Sequence, residues 1–350
     1  MAPVHSKPQS AEETVAELKA NRIRPKTRER YTKQVQHLAK LLRKAGKGKY
    51  VKKDSDGNDI INIDADVFGS GDFVLELFTT MKKNEKMLTQ KTYEGYASSI
   101  AMLFSDASRS MPAAYTKQKS QLMAGLKRKQ AREREDGTRS DDAKKAMPKD
   151  LFERLCKKIT ESEDPQLIFA QAFMKLQWSL ICRSVSAANV SWASSSVDAD
   201  TIKFRHFTTK ADQAGNDDSF KACFGNPMKP HSCLFLGLGI FFLCNPALDG
   251  HKIFAGTNQA SRFSDIFVKF LKRDDITAIL EEYGLTPEDL GTHSLRKSAG
   301  TYGASAPFVT ILTLCLRACW KFTTTMQRYI FHEKGGDLML GRVLALLPMT

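Results

Sequence analysis

The stretch DGTRSDDAKKAM, residues 136–147, has no apolar periodicity, and it lies between two long segments that do. A segment with no apolar face gains nothing by packing, so a break of this kind marks an exposed linker. A chain of 350 residues interrupted there is expected to fold as two medium domains, each around its own core. The expected organisation is a polar tail over 1–20, a helical domain over 21–135, the linker over 136–147, a second domain over 148–334 and a terminal helix over 335–350.

In the first segment, TRERYTKQVQHLAKLLRKAG sets Tyr31, Val35, Leu38, Leu41 and Leu42 on one helical stripe, with Thr27 as its cap. TQKTYEGYASSIAMLFSDAS does the same with Tyr93, Tyr96, Ile100, Leu103 and Phe104, and QLMAGLKRKQARERE reads as a strongly basic third helix. Residues 66–83 predict one more helix, so this half is a small bundle. DSDGNDIINID at 54–64 has a faint likeness to a calcium loop, but Gly57 comes too early and Ala65 stands where the twelfth-position acid is needed. A hairpin turn explains it better.

The second segment begins with PKDLFERLCKKI, where Pro148 suits an early helical position, and continues with a buried helix, LIFAQAFMKLQWSLIC, ending beside Arg183. The texture then changes. SWASSSVDADTIKFRHFTTKADQAGNDDSFKACF alternates at Ile202, Phe204 and His206 and breaks at Ala-Gly-Asn-Asp, as a hairpin or three-stranded sheet does. From 262 the pattern is helical again. The fold class is therefore mainly α with a small antiparallel β-sheet in the second domain.

The net charge is +14, and residues 1–150 hold 31 Lys and Arg against 20 Asp and Glu, a net of +11. A polyanion, with nucleic acid first, is the expected partner of such a surface. Seven cysteines, several in apolar runs such as SLIC and FFLC, read as reduced buried thiols, and no spacing suits a zinc site. No cofactor and no structural metal are expected. No signal peptide is seen, and no apolar run reaches the length of a membrane span.

GTHSLRKSAGTY, residues 291–302, puts His293 and Arg296 three apart at what reads as the first turn of a helix capped by Thr292. A plain helix start would account for that pair alone. Arg183 as a helix-end cation, Trp320 as a core residue and Tyr329 as a buried ring would each be ordinary too. Together they form an ordered set: Arg183, then Lys210 on the hairpin FTTKADQAGND, then His293-x-x-Arg296, then Trp320 and Tyr329 in RACWKFTTTMQRYI. In that order and at those intervals, residues 148–334 resemble the catalytic half of a tyrosine recombinase. The basic helical first half is similar to that family's core-binding domain. A Trp before the Tyr, within RACW…MQRYI, resembles eukaryotic mobile-element recombinases of the Crypton and DIRS kind.

The resemblance implies a two-domain, C-shaped clamp around double-stranded DNA, cut and rejoined through a 3′-phosphotyrosine on Tyr329. Arg183 and Arg296 would clamp the phosphate, Lys210 would be the general acid and His293 an acid or base. Trp320 would give a hydrogen bond to the phosphate and pack the tyrosine helix. Two guanidinium forks match the charge that builds on the non-bridging oxygens of a phosphodiester under attack, and with a lysine beside them the reaction needs no divalent ion or ATP. Arg28, Arg30, Lys33, Lys127, Arg128 and Lys129 are the expected contacts to DNA phosphates. The family pattern further implies a homo-tetramer in the synaptic complex from a free monomer or dimer. The apolar DLMLGRVLALL would dock on a neighbouring protomer, with packing on its own domain as the alternative. KRKQARER and LRKAGKGKYVKK, as basic runs, suggest a nuclear location.

Three departures stand out: Ser186 where the family commonly has an acid, Ala-Cys-Trp in place of Gly-His-Ser, and Lys297 where His is common. Lys203, in the same hairpin, rivals Lys210 as the acid. A type IB topoisomerase and a domesticated, catalytically silent DNA-binding protein remain open as other readings of the same residues.

Overall fold

Pro25 opens the first helix, α1 (Pro25–Lys44), because the first helical position has no intrahelical use for the N–H that proline lacks. Arg24, not Thr27, holds the cap position, and Thr27 lies in the first turn with its N–H on the Arg24 carbonyl. The structure, a computed structural model, describes residues 21–64, 66–83, 86–138, 144–205, 220–246, 251–307, 309–320 and 337–347. It is mostly helical with small antiparallel sheets. The chain divides into two compact units, Met1–Asp141 and Asp142–Thr350.

In the first unit α1 buries Val35, Leu38, Ala39 and Leu42. The hairpin of β1 (Val51–Lys53) and β2 (Asp59–Ile61) follows, its turn fixed by Asp54, whose Oδ1 accepts the N–H groups of Asp56 and Asn58. Residues 66–83 form two helices rather than the one expected, α2 (Val67–Ser70) and α3 (Asp72–Thr80), then β3 (Lys82–Lys83), which pairs with β4 (Lys86–Met87). Gly71 causes the break. Its φ of 81° is open to glycine at no cost, and a Cβ there would lie 2.4 Å from Gln118 Oε1.

The next helix, α4 (Gln90–Asp106), starts on Thr89, whose side chain accepts the Thr92 N–H, and buries Tyr93, Tyr96, Ile100 and Phe104. The basic helix α5 (Ala113–Glu135) buries Tyr115, Met123, Leu126 and Gln130. Gln130 fastens α5 to the start of α4 through the Leu88 carbonyl and the Gln90 N–H. Stacked rings, Phe68 on Phe73 at 4.5 Å and Phe78 on Tyr93 at 4.2 Å, fill the core between these elements.

The second unit is built around a helix buried along nearly its whole length. After α6 (Lys149–Thr160), α7 (Pro165–Ser179) starts on Asp164, which accepts the Gln166 N–H, and is buried at all but one position from Leu167 to Ser179. The short α8 (Ser184–Ala187) leads to a three-stranded antiparallel sheet with β6 (Thr201–Arg205) between β5 (Ser195–Asp198) and β7 (Phe220–Phe224). There follow α9 (Leu234–Leu243), α10 (Gln259–Leu271), α11 (Asp274–Glu281), α12 (Thr292–Ser305), α13 (Ile311–Arg317) and α14 (Asp337–Leu344). One apolar core joins α7 to α6, α9, α10 and α12. Five cysteines are buried, Cys319 is half-buried and Cys244 is exposed, and all seven are free thiols.

Within the single chain the terminal helix takes the alternative placement: α14 lies against β7, α7, α12 and α13 of its own unit. Leu340, Val343, Leu344, Ala345 and Leu346 are buried there. Trp178 Nε1 donates to the Leu344 carbonyl at 3.2 Å and Asn226 Nδ2 to that of Ala345 at 2.6 Å. Gly341 makes the fit, because only a residue without a Cβ lets the helix backbone approach the Ala222 carbonyl this closely.

Candidate active site

Two helices of the second unit end in the same way. At the end of α7 the Cys182 N–H donates to the Gln177 carbonyl and the Ile181 N–H to that of Trp178. At the end of α13 the Trp320 N–H donates to the Cys315 carbonyl and the Cys319 N–H to that of Leu316. Both are Schellman endings, whose left-handed residue is usually glycine. Here it is Ile181 (φ 47°) and Cys319 (φ 49°). A left-handed residue with a Cβ costs roughly 1–2 kcal/mol, and a β-branched one is rarer still. Each strained turn delivers a predicted site residue directly after it: Arg183, at the cap of α8, and Trp320.

Arg296 comes from α12. Gly291, not Thr292, occupies the cap position of this helix, and its N–H donates to Ser294 Oγ at 3.1 Å. The Thr292 carbonyl instead accepts Gln177 Nε2 at 2.7 Å, which holds the start of α12 to the end of α7. Arg296 is 6% exposed, and its Nη2 donates to the Ala318 carbonyl at 2.7 Å. Its guanidinium carbon stands 5.7 Å from the centre of the Trp320 ring, in cation–π range. One turn further along α12, a Cβ at Gly300 would lie 3.2 Å from the indole Cη2. The indole thus rests across α12, on Arg296 and over Gly300, and keeps 38% of its surface open.

Burial holds the Arg296 pKa below the usual arginine range, and the Arg183 guanidinium pushes it further down, against an opposing pull from the Cys182 and Cys319 thiols. Arginine stays charged even so. Among the described residues, neither Arg183 nor Arg296 has a carboxylate partner. A nearly buried guanidinium under an indole, with a second guanidinium near enough to act on it, has the donor chemistry to pair with an oxyanion that offers more than one acceptor oxygen. His293 lies on the exposed side of the first turn of α12, three residues before Arg296. Ser186 lies in α8, in the turn after Arg183. Lys297 reaches back to the Lys144 carbonyl.

Lys210 and Tyr329 lie outside the described residues, as does His206. Lys203, the rival of Lys210, is on β6 and ion-pairs with Asp198 at 2.7 Å. The six expected phosphate contacts belong to the first unit. Arg28 pairs with Asp106 at 2.6 Å, Lys33 with Glu29 at 2.6 Å and Lys129 with Glu133 at 4.0 Å. Arg30 lies over the Tyr31 ring, and Lys127 and Arg128 are exposed on α5. Exposed pairs of this kind contribute about 0–1 kcal/mol, so a phosphate can compete for these cations.

Arg317 is a residue the sequence reading passed over. It is 1% exposed, and its Nε and Nη2 both donate to the Ser179 carbonyl, at 3.0 and 2.8 Å. Nη2 also donates to the Ala222 carbonyl at 2.7 Å. The signal was present in LTLCLRACW, where a single cation interrupts an apolar run.

Among the described residues no group of His, Cys, Asp and Glu could hold a metal ion, and no helix is long and apolar enough to cross a membrane. A polar hollow of about 470 Å³ at the start of α10, lined by residues such as Asn258, Arg262 and Asp265, shares no residue with the arginine pair. No family model and no curated protein matches the chain. Solved structures do. The chain is similar to the XerH site-specific recombinase bound to difH substrate in a pre-cleavage complex, at 15% identity and a TM-score of 0.36, over 53% of this chain and 50% of that one. A post-cleavage complex of XerH with palindromic difH is similar at 12% identity and a TM-score of 0.38, over 71% and 69%. The chain spans half the length of the first of these.

Proposed function

We propose that the chain is a site-specific DNA recombinase that cuts and rejoins duplex DNA through a 3′-phosphotyrosine on Tyr329. The observation that carries this reading is Arg296, nearly buried against the Trp320 ring, with the Arg183 guanidinium from another segment near enough to lower its pKa. In the scheme, the two guanidinium groups bind the non-bridging oxygens of the scissile phosphate and stabilise the charge that grows there in the transition state. The Trp320 indole N–H adds a donor, and His293 assists the tyrosine hydroxyl, whose ordinary pKa near 10 demands it. Lys210 protonates the leaving 5′-oxygen. The basic face of the first unit binds flanking phosphates. Four protomers assemble at synapsis, and the mobile-element origin and nuclear location belong to the same reading.

The test is covalent capture. Incubated with a nicked duplex carrying its site, the protein should yield a DNA adduct that survives a denaturing gel. Tyr329→Phe should bind equally well and yield none. An adduct of normal yield from Tyr329→Phe, or wild-type binding without any adduct, would overturn the proposal.

A further inference from the structure

We propose that Arg317 is a positioning residue that sets the Arg183, Arg296 and Trp320 segments against one another without itself touching substrate. The inference rests on the recombinase reading for its kinetic consequence and on the packing alone for its structural one.

Ser179 is the last residue of α7, so its carbonyl has no donor from within the helix. Arg317, the last residue of α13, supplies two N–H groups to it. The same guanidinium reaches the Ala222 carbonyl on β7, an edge strand, in the residue paired with Lys203 of β6. Three segments are thereby held by one planar group: the end of α7 four residues before Arg183, the sheet, and the end of α13 three residues before Trp320. The neighbouring Ala318 carbonyl is the one that Arg296 caps. Both helix ends also carry a strained left-handed residue, Ile181 and Cys319, so neither turn is in its cheapest shape and each needs an external tie.

The geometry of the tie is particular to arginine. A lysine ammonium can reach one of the carbonyls, but it lacks the rigid fork that spans Ser179 and Ala222 at once. Losing that span lets the two ends drift. A misplacement of about 1 Å at reacting groups costs about 10²-fold in rate even where binding survives.

The experiment uses the full chain with its three tryptophans labelled as 5-fluorotryptophan, the Trp320 resonance being assigned by Trp320→Phe. Arg317→Lys and Arg317→Met are compared with wild type by ¹⁹F spectra, by thermal unfolding, by affinity for nicked duplex and by the first-order rate of adduct formation. Arg317→Lys is expected to remain folded, to shift the Trp320 resonance while leaving that of Trp192 in place, to hold affinity within about twofold and to slow adduct formation about 10²-fold. Arg317→Met should move in the same direction and further. An unmoved Trp320 resonance with a wild-type rate overturns the proposal. So does a rate loss that merely tracks collapse of all three resonances in both variants, since Arg317 would then hold the fold and not the site. If wild type gives no adduct while Arg317→Lys still shifts Trp320 alone, the positioning role stands and the recombinase reading falls.

Discussion

Gly341→Ala sets helix propensity against packing, and the sign of the result decides where the terminal helix lies. By propensity alone the change stabilises α14 by about 1 kcal/mol, since alanine outranks glycine in a helix interior. The packing demands the reverse. A Cβ at 341 would stand 2.4 Å from the Ala222 carbonyl oxygen and 2.9 Å from Phe224 Cε2, against an ordinary contact of 3.4 Å or more. The nearer atom is backbone, fixed by the β6–β7 ladder, so α14 itself must retreat. A retreat of about 1 Å forfeits a quarter to a half of the dispersion energy at each contact it opens. Leu340, Val343, Leu344 and Leu346 are buried there, and at roughly 2 kcal/mol each their burial is worth about 8 kcal/mol. The loss is then about 2–4 kcal/mol, or about 1–3 after the propensity gain is set against it. Urea unfolding followed by near-ultraviolet circular dichroism measures this directly. Gly303→Ala is the control, because its Cβ would meet only side-chain ends, Leu340 Cδ1 at 3.0 Å and Leu314 Cδ1 at 3.3 Å, and no backbone atom. It should change stability by less than about 1 kcal/mol. A Gly341→Ala protein more stable than wild type would refute the seating of α14 on β7, and sedimentation would then be the place to look for docking on a second copy.

Three further outcomes are expected. Lys175 is 1% exposed with Gln171 Oε1 and Thr160 Oγ1 as its acceptors, and burial lowers its pKa below the ordinary 10.5. Its cost to folding is therefore full below the lowered value and fades as pH rises from there to 10.5, so Lys175→Met should flatten the rise of stability with pH across that window; an unchanged slope sinks the idea. The comparison is read below pH 9, because above it the buried Cys156 and Cys182 thiols, pushed up to about 12, add an opposite trend, and the Cys156 thiol itself feels the Lys175 charge. Cys319→Gly should stabilise by about 1 kcal/mol through relief of its left-handed turn, whereas Ile181→Gly should destabilise because its side chain is wholly buried; calorimetry showing the same sign for both would contradict this account. Lys127→Ala and Arg128→Ala should each reduce the slope of log K against log salt for duplex binding by roughly 0.9, and slopes equal to wild type would remove α5 from the DNA face.

What the sequence made legible follows the range of the forces involved. The stripes of α1 and α4, the Asp54 turn and the alternation at Ile202 and Phe204 are set by neighbours a few residues away, and they could be read directly. Two cap assignments missed by short steps, at Thr27 and Thr292, because Pro25 opens α1 two residues earlier and Gly291 takes the cap of α12. The break at Gly71 depends on Gln118 of another helix, and the seat of α14 depends on Gly341 meeting β7; neither contact leaves a periodic trace. Arg183, Arg296 and Trp320 were legible as an ordered set, not by any local property. Arg317 left only the faint signal of one cation in the apolar run LTLCLRACW, which says nothing of its partners, the carbonyls of two other segments.

The cost of the site is concentrated in a small part of the second unit. Two like charges lie close together, one of them nearly buried, and the two turns that present the site both hold a side chain where glycine would be easier. Each feature opposes folding, and a chain under selection for stability alone would replace them. The Ala318 carbonyl offsets part of the burial of Arg296 but does nothing for its repulsion from Arg183. An anion between the two guanidinium groups removes that repulsion, so binding and local stability are coupled through the same pair of charges. On the proposed function, an anion that binds the folded state alone adds RT ln(1 + [L]/Kd), and the part of the cost it relieves is the repulsion between the two guanidinium groups, not the left-handed turns.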